Sequence, residues 1–207
     1  MTAPPGRKPA SVDRSDVLVI VSESKAEAAI TIGLVTREVR VASRTIVLAP
    51  RESELLLALA LHGAPRDRAT LAAMIWPDAD EARAGIVGVY INRLRRRLGN
   101  VDLIEAGPSG YALRRPVLVD LFLLEDAIRE RRATEPLDPP LEALVASQHV
   151  RLPQWVLMSA WLLPYARRFE SAVKHIRAAR AAAAAQRDDL ELMRHYRTLL
   201  EAEQHDG

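Results

Sequence analysis

Cysteine is absent from the 207-residue chain, which removes disulfide frameworks, cysteine zinc sites and thiol catalysis at once. Long apolar runs are missing too. The first one, VLVIV at 17–21, is far too short to span a bilayer, and MTAPPGRKPASVDRSD before it lacks an apolar core of signal-peptide length. No membrane association is expected, and the cytoplasm is the expected compartment. Lysine is scarce, occurring only as Lys8, Lys25 and Lys174, so arginine carries nearly all the positive charge. Arginine suits phosphate and guanine, but an arginine-heavy, alanine-rich chain equally reflects GC-rich coding, and a net charge of +2 barely favours nucleic acid. His62, His149, His175, His195 and His205 are scattered without ligand spacing. There is no phosphate-cradling glycine loop, no G-x-S-x-G and no acidic pair in a catalytic setting. Neither enzymatic activity nor a metal or cofactor is expected.

The texture changes along the chain. Residues 1–16 hold prolines and charges without periodicity and read as a disordered lead. From 17 to 48 the stretches VLVIV, AITIGLV, REVRVAS and RTIVL have strand character, with a turn at Ala42-Ser43, and predict a small antiparallel sheet. Pro50 opens a helix carrying Leu55, Leu56 and Leu59 and stopping at Gly63. A short helix is predicted from Arg68 to Ile75, ended by Trp76-Pro77. A third, with Asp78 and Asp80 as caps, runs to Leu98 and stops at Gly99-Asn100. VDLIEA (101–106) and YALRR (111–115), separated by Gly107-Pro108-Ser109-Gly110, signal a hairpin. Beyond Pro116 the chain reads as helical, interrupted by the Pro-rich linker EPLDPP (135–140). Tyr165, Phe169, Val173 and Ile176 form one stripe, and Leu192, Met193, Tyr196, Leu199 and Leu200 mark a last helix. The alanine run 178–185, broken by Arg180, reads as helix propensity. The expected division is 1–16 lead, 17–116 first domain and 117–207 helical region.

A helix, a short helix, a longer basic helix and a hairpin, in that order, form the plan of a winged helix-turn-helix. The fold expected is therefore α+β: an N-terminal antiparallel sheet, three helices and a C-terminal wing hairpin, followed by an all-α region. In the third helix, spanning 80–98, Ile86, Val87, Tyr90, Ile91, Leu94 and Leu98 have the spacing of an inward face. Gly85, Gly88, Asn92, Arg95 and Arg96 lie opposite, flanked by Arg93 and Arg97. The arginines between 93 and 97 suit phosphates, and Asn92 can pair bidentately with adenine. The same arginines equally suit a solvated helix end that complements its own dipole.

Residues 30–115 resemble the effector domain of OmpR/PhoB-type response regulators, and more closely the N-terminal domain of actinomycete antibiotic regulatory proteins. The resemblance rests on IVLAPRESELLLALALHGAPRDRATLAAMIWPDADEARAGIVGVYINRLRRRLG and LIEAGPSGYALRR. It implies a transcriptional regulator that binds double-stranded DNA, with VYINRLRRRL as the recognition helix and Gly110-Tyr111 in the wing at 101–115. Tyr90, Arg93 and Arg95 fall where the family places DNA contacts; Gly88 and Asn92 face the groove, and Arg96 and Arg97 complete the basic end. Ser109, Tyr111 and Arg114 are the wing candidates. The family pattern often has an arginine early in the recognition helix and another in the wing, where this chain has Gly85 and Gly107-Pro108. Arg83 and Arg114 are the candidates to stand in for them. Trp76 matches a loop tryptophan that in relatives touches DNA or RNA polymerase, so the polymerase is an implied partner, although a core role suits Trp76 better. VDLFLLEDAIRE and WLLPYARRFESAV resemble the start of a bacterial transcriptional activation domain, here truncated, which packs on the winged helix or joins two copies as a homodimer. The segment ahead of the winged helix is too short for a receiver domain, so phosphorylation in cis is not expected. A second reading stays open: an interaction module that keeps the winged-helix shape and has lost DNA binding, motivated by Gly85, Gly88 and the arginine-free wing tip.

Overall fold

The computed structural model describes residues 30–41, 44–77, 84–99, 103–114, 117–147, 152–187 and 189–205. The expected lead, the VLVIV strand, the turn at Ala42-Ser43, the caps Asp78 and Asp80, and Asn100 lie outside them. The architecture is α+β: a sheet, three helices and a hairpin, then an all-helical region.

Three strands, β1 (Ile30–Ile32), β2 (Glu38–Val41) and β3 (Arg44–Val47), form an antiparallel meander. A fourth, β6 (Val117–Val119), pairs parallel with β1, giving the order β3-β2-β1-β6. Residues 117–119 thus belong to the sheet, where the sequence pattern predicts the onset of helix. Strand pairing outweighs local propensity here because Val117 and Val119 bury their side chains beside Ile30 and Ile32. The period-two alternation puts Ile30, Ile32, Val39, Val117 and Val119 on one inward face.

Helix α1 (Pro50–His62) has proline in its first turn, and the Glu52 carboxylate accepts the Ala49 N–H at 3.0 Å. It ends at Gly63 with φ 63°, the left-handed C-cap that glycine adopts without a Cβ penalty. Every residue from Glu52 to Leu59 is buried. Two turns buried all round mean that the helix is covered on every side. The sheet, α2 (Arg68–Ile75) and α3 (Ala84–Leu98) cover part of it. Burial of Leu55, Leu56, Leu57 and Leu59 contributes on the order of 2 kcal/mol each.

The helical region covers the rest. It comprises α4 (Asp120–Arg129), α5 (Pro139–Ala146), α6 (Gln154–Leu157), α7 (Leu163–Gln186) and α8 (Leu190–His205). Ser159 donates to the buried Glu54 at 3.3 Å, and His62 lies against the rings of Trp161 and Tyr165. Burial pushes the Glu54 carboxyl up, partly offset by the Arg51 guanidinium and the Ser159 hydroxyl. Arg51 also caps Ile75, donating to its carbonyl at 2.6 Å. The Phe169–Val173–Ile176 stripe of α7 is buried, and one hydrophobic cluster runs from Ile30 to Leu199.

The segment 135–140 is pinned rather than free. Arg180, buried on α7, donates to the carbonyls of Ala133 (3.2 Å) and Glu135 (3.0 Å), grips the Glu142 carboxylate and donates to Tyr196 Oη at 2.9 Å. Arg177 is also buried and donates to the carbonyls of Val145 and Ser147. Both guanidiniums close gaps between α7 and its neighbours, a use that the surrounding alanines conceal in the sequence.

Candidate nucleic-acid interface

Helix α3 buries Val87, Ile91, Leu94 and Leu98, a three- and four-residue repeat that seats it on α1 and α2. Ile86, expected inward, is instead exposed, as is Val89. The outward face consists of Gly85, Ile86, Val89, Asn92, Arg93 and Arg96. At 3.6 residues per turn, all of these lie within about 60° of Val89.

The basic residues divide into two pairs. Arg95 is half-buried and donates from Nε (3.0 Å) and Nη2 (2.6 Å) to the Ile104 carbonyl, where the hairpin begins. Arg97 Nη1 reaches Glu52 Oε2 at 2.5 Å, and that oxygen also accepts the Ala49 N–H. These two arginines tie α3 to the hairpin and to the start of α1. Arg93 and Arg96 remain on the solvent side. Arg93 lies over the Tyr90 ring, 5.3 Å from its centroid, and Tyr90 is half-buried with its centroid 5.2 Å from that of Trp76. Arg96 Nε donates weakly to the Asn92 carbonyl at 3.4 Å. The Asn92 side chain is exposed, and its Oδ1 lies 3.5 Å from Arg95 Nη1. Arg83 lies outside the described residues.

Strands β4 (Ile104–Gly107) and β5 (Gly110–Leu113) form the hairpin, turning at Pro108-Ser109. Near its turn it is stitched to the loop between α1 and α2: Arg66 and Tyr111 exchange both backbone hydrogen bonds, at 2.9 and 2.8 Å. The close approach requires Gly110, with φ 111°, because a Cβ there would lie 2.1 Å from the Arg66 carbonyl oxygen. Tyr111, expected among the wing contacts, is buried. Its hydroxyl accepts from Arg68 Nε at 3.1 Å and lies 3.6 Å from where a Cβ on Gly88 would stand. Gly88 is therefore half-buried beneath Tyr111, with the two facing each other across the groove between helix and hairpin. Ser109 is exposed at the turn, and Arg114 is exposed, 3.4 Å from Glu105. An exposed pair of this kind contributes about 0–1 kcal/mol.

Arg68 is a further cation at this site that the sequence pattern does not mark. It is exposed in the first turn of α2 with its guanidinium over the Tyr111 ring, so it stands beside Gly88. The available signal was a cation directly after Asp67, whose carboxylate accepts the Thr70 N–H at 2.9 Å and caps α2. These hydrogen bonds hold Asp67 below the ordinary carboxylate range.

Residues 43–113 match the model of the family described as "Transcriptional regulatory protein, C terminal". This segment is an OmpR/PhoB-type DNA-binding domain. The family is one of DNA-binding transcriptional regulators rather than of enzymes. The matched stretch of the chain takes in β3, α1, α2, α3, β4 and β5, and it ends before β6. It leaves out β1, β2 and β6, on which the sheet depends, and all the helices that follow. No curated protein matches the chain. Among the described residues, no helix is long and apolar enough to cross a membrane.

Proposed function

We propose that this regulator binds duplex DNA by laying α3 in the major groove, with the β4–β5 hairpin along the neighbouring backbone. The observation that carries the reading is the division of the arginines. Arg95, half-buried, and Arg97, still exposed, are held by the Ile104 carbonyl and the Glu52 carboxylate and fix the helix, while Asn92, Arg93 and Arg96 share the outward face. Arg93 and Arg96 neutralise phosphates, Asn92 meets a base edge, and Tyr90 supports Arg93. Gly88 and Tyr111 keep helix and hairpin close together, and Ser109 and Arg114 meet the backbone from the wing. Arg68 adds a cation on the same side. Residues 30–119 act as the DNA-binding unit, and the helices from Asp120 onward serve as a brace against α1.

A fluorescence titration of a labelled duplex at several salt concentrations tests this. Affinity should fall linearly in log–log form as counterions are released. Arg93→Ala and Arg96→Ala should each lower the slope by about one. Salt-independent binding, or slopes unchanged in both variants, would remove the reading.

A further inference from the structure

We infer that Ile86 and Val89 select thymine methyl groups, making the regulator a reader of A·T base pairs in the major groove. This rests on the groove-binding role proposed above for α3.

Val89 is half exposed, at 50%, and Ile86 is exposed at 36%, both on a folded helix that buries Val87, Ile91, Leu94 and Leu98. Val89 stands at the centre of the outward face, three residues from Ile86 and from Asn92, and Gly85 beside them carries no side chain to compete. The face is therefore aliphatic in its N-terminal half and polar in its C-terminal half. A helix that reads bases does so mainly from its N-terminal residues, so the aliphatic half is the part that would meet base edges.

Aliphatic side chains have no donor or acceptor with which to read the polar code of the groove. Among the groups that the four bases present there, only the thymine C5-methyl is apolar. Guanine's N7 and O6, or cytosine's amino group, would lose water against Val89 without gaining a partner, a cost that discriminates against G·C. Asn92, next along the face, has the donor and acceptor that match adenine N7 and N6, and Arg95 Nη1 beside Oδ1 biases which way the amide points. The residues thus agree on A·T. Charge selects DNA over a second copy of the chain: a two-fold interface on this face would bring Arg93 and Arg96 towards their own symmetry mates, whereas phosphates complement them.

The test begins with duplexes selected from a random pool by the full-length chain, followed by resynthesis of the selected site with deoxyuridine at each thymine. Uracil keeps every hydrogen-bonding group and lacks only the methyl. Thymine should be enriched in the core of the site, and uracil should weaken binding about four-fold per methyl buried against the helix, the factor expected of one CH₂-sized group. Val89→Ala, exposed and compatible with helix, should bind thymine and uracil duplexes alike at the position it loses. Arg93→Ala should weaken both equally. Wild-type binding that is strong and identical for thymine and uracil would overturn the inference while leaving the DNA-binding role intact. Failure to select any duplex would remove both. Self-association of the wild type that Val89→Ala abolishes would assign the face to a second copy instead.

Discussion

Asp120 gives the sharpest quantitative prediction. It is 3% exposed, at the junction of β6 and α4, and its Oδ1 accepts both the Leu34 N–H (2.9 Å) and the Leu121 N–H (2.8 Å). Burial raises its pKa from 3.8 to about 7, against the opposing effect of those two hydrogen bonds and of Arg40. The folded protein therefore holds a proton that the unfolded chain has released. Stability from this group is complete below about pH 4 and is lost as pH rises through about 7. At about 1.4 kcal/mol per pH unit, the whole effect is about 4 kcal/mol, of which about 3 kcal/mol falls above pH 5. Asp120→Asn keeps an oxygen for both N–H groups and cannot ionise. Urea unfolding of both proteins should show the variant gaining about 3 kcal/mol on the wild type between pH 5 and pH 9. Any fixed cost of the amide cancels in that comparison, as does the parallel contribution of Glu54. A difference that stays constant over the range would mean that Asp120 is charged throughout, and the reasoning would fail.

Arg180→Ala leaves the Glu142 carboxylate, two carbonyls and Tyr196 Oη without their shared donor, and should cost about 3–5 kcal/mol in urea unfolding. Arg180→Lys should recover little of that, because an ammonium cannot span the same set of acceptors. Gly110→Ala forces a Cβ against the Arg66 carbonyl; faster amide exchange at Arg66 and Tyr111 should report the hairpin lifting from the loop, with roughly 1–3 kcal/mol or more lost.

The first half of the fold was legible because its punctuation is local. Pro50 and Gly63 bound α1, each a signal carried within a few residues. Strand β6 was not legible: Val117–Val119 precede a helical pattern, and the partner strand is distant in sequence. Local periodicity carries no information about parallel pairing. In α3 the buried repeat of Val87, Ile91, Leu94 and Leu98 was readable, but Ile86 looked equally suited to the core. Four nearby arginines were indistinguishable by type. Only the Ile104 carbonyl and the Glu52 carboxylate, both outside the helix, separate Arg95 and Arg97 from Arg93 and Arg96. The same holds for Arg180, whose acceptors come from other segments of the chain.

The parallel pairing of β1 with β6 has a consequence for synthesis. On the ribosome β1 emerges before β2 and β3, which follow almost at once. The place beside β1 stays vacant until residues 117–119 are made, and Leu34 waits for a carboxylate 86 residues further on. Closing so long a loop adds little to the entropic cost, since that cost grows only with the logarithm of length; what it adds is delay. During that interval an open strand edge faces other nascent chains, the geometry in which β-rich intermediates aggregate. Helix α3 is complete before the sheet can close, so a chain arrested between residues 99 and 117 would carry the helix proposed above to meet DNA on an unfinished support. On the proposed function, completion of β6 couples competence for DNA to translation beyond the matched segment.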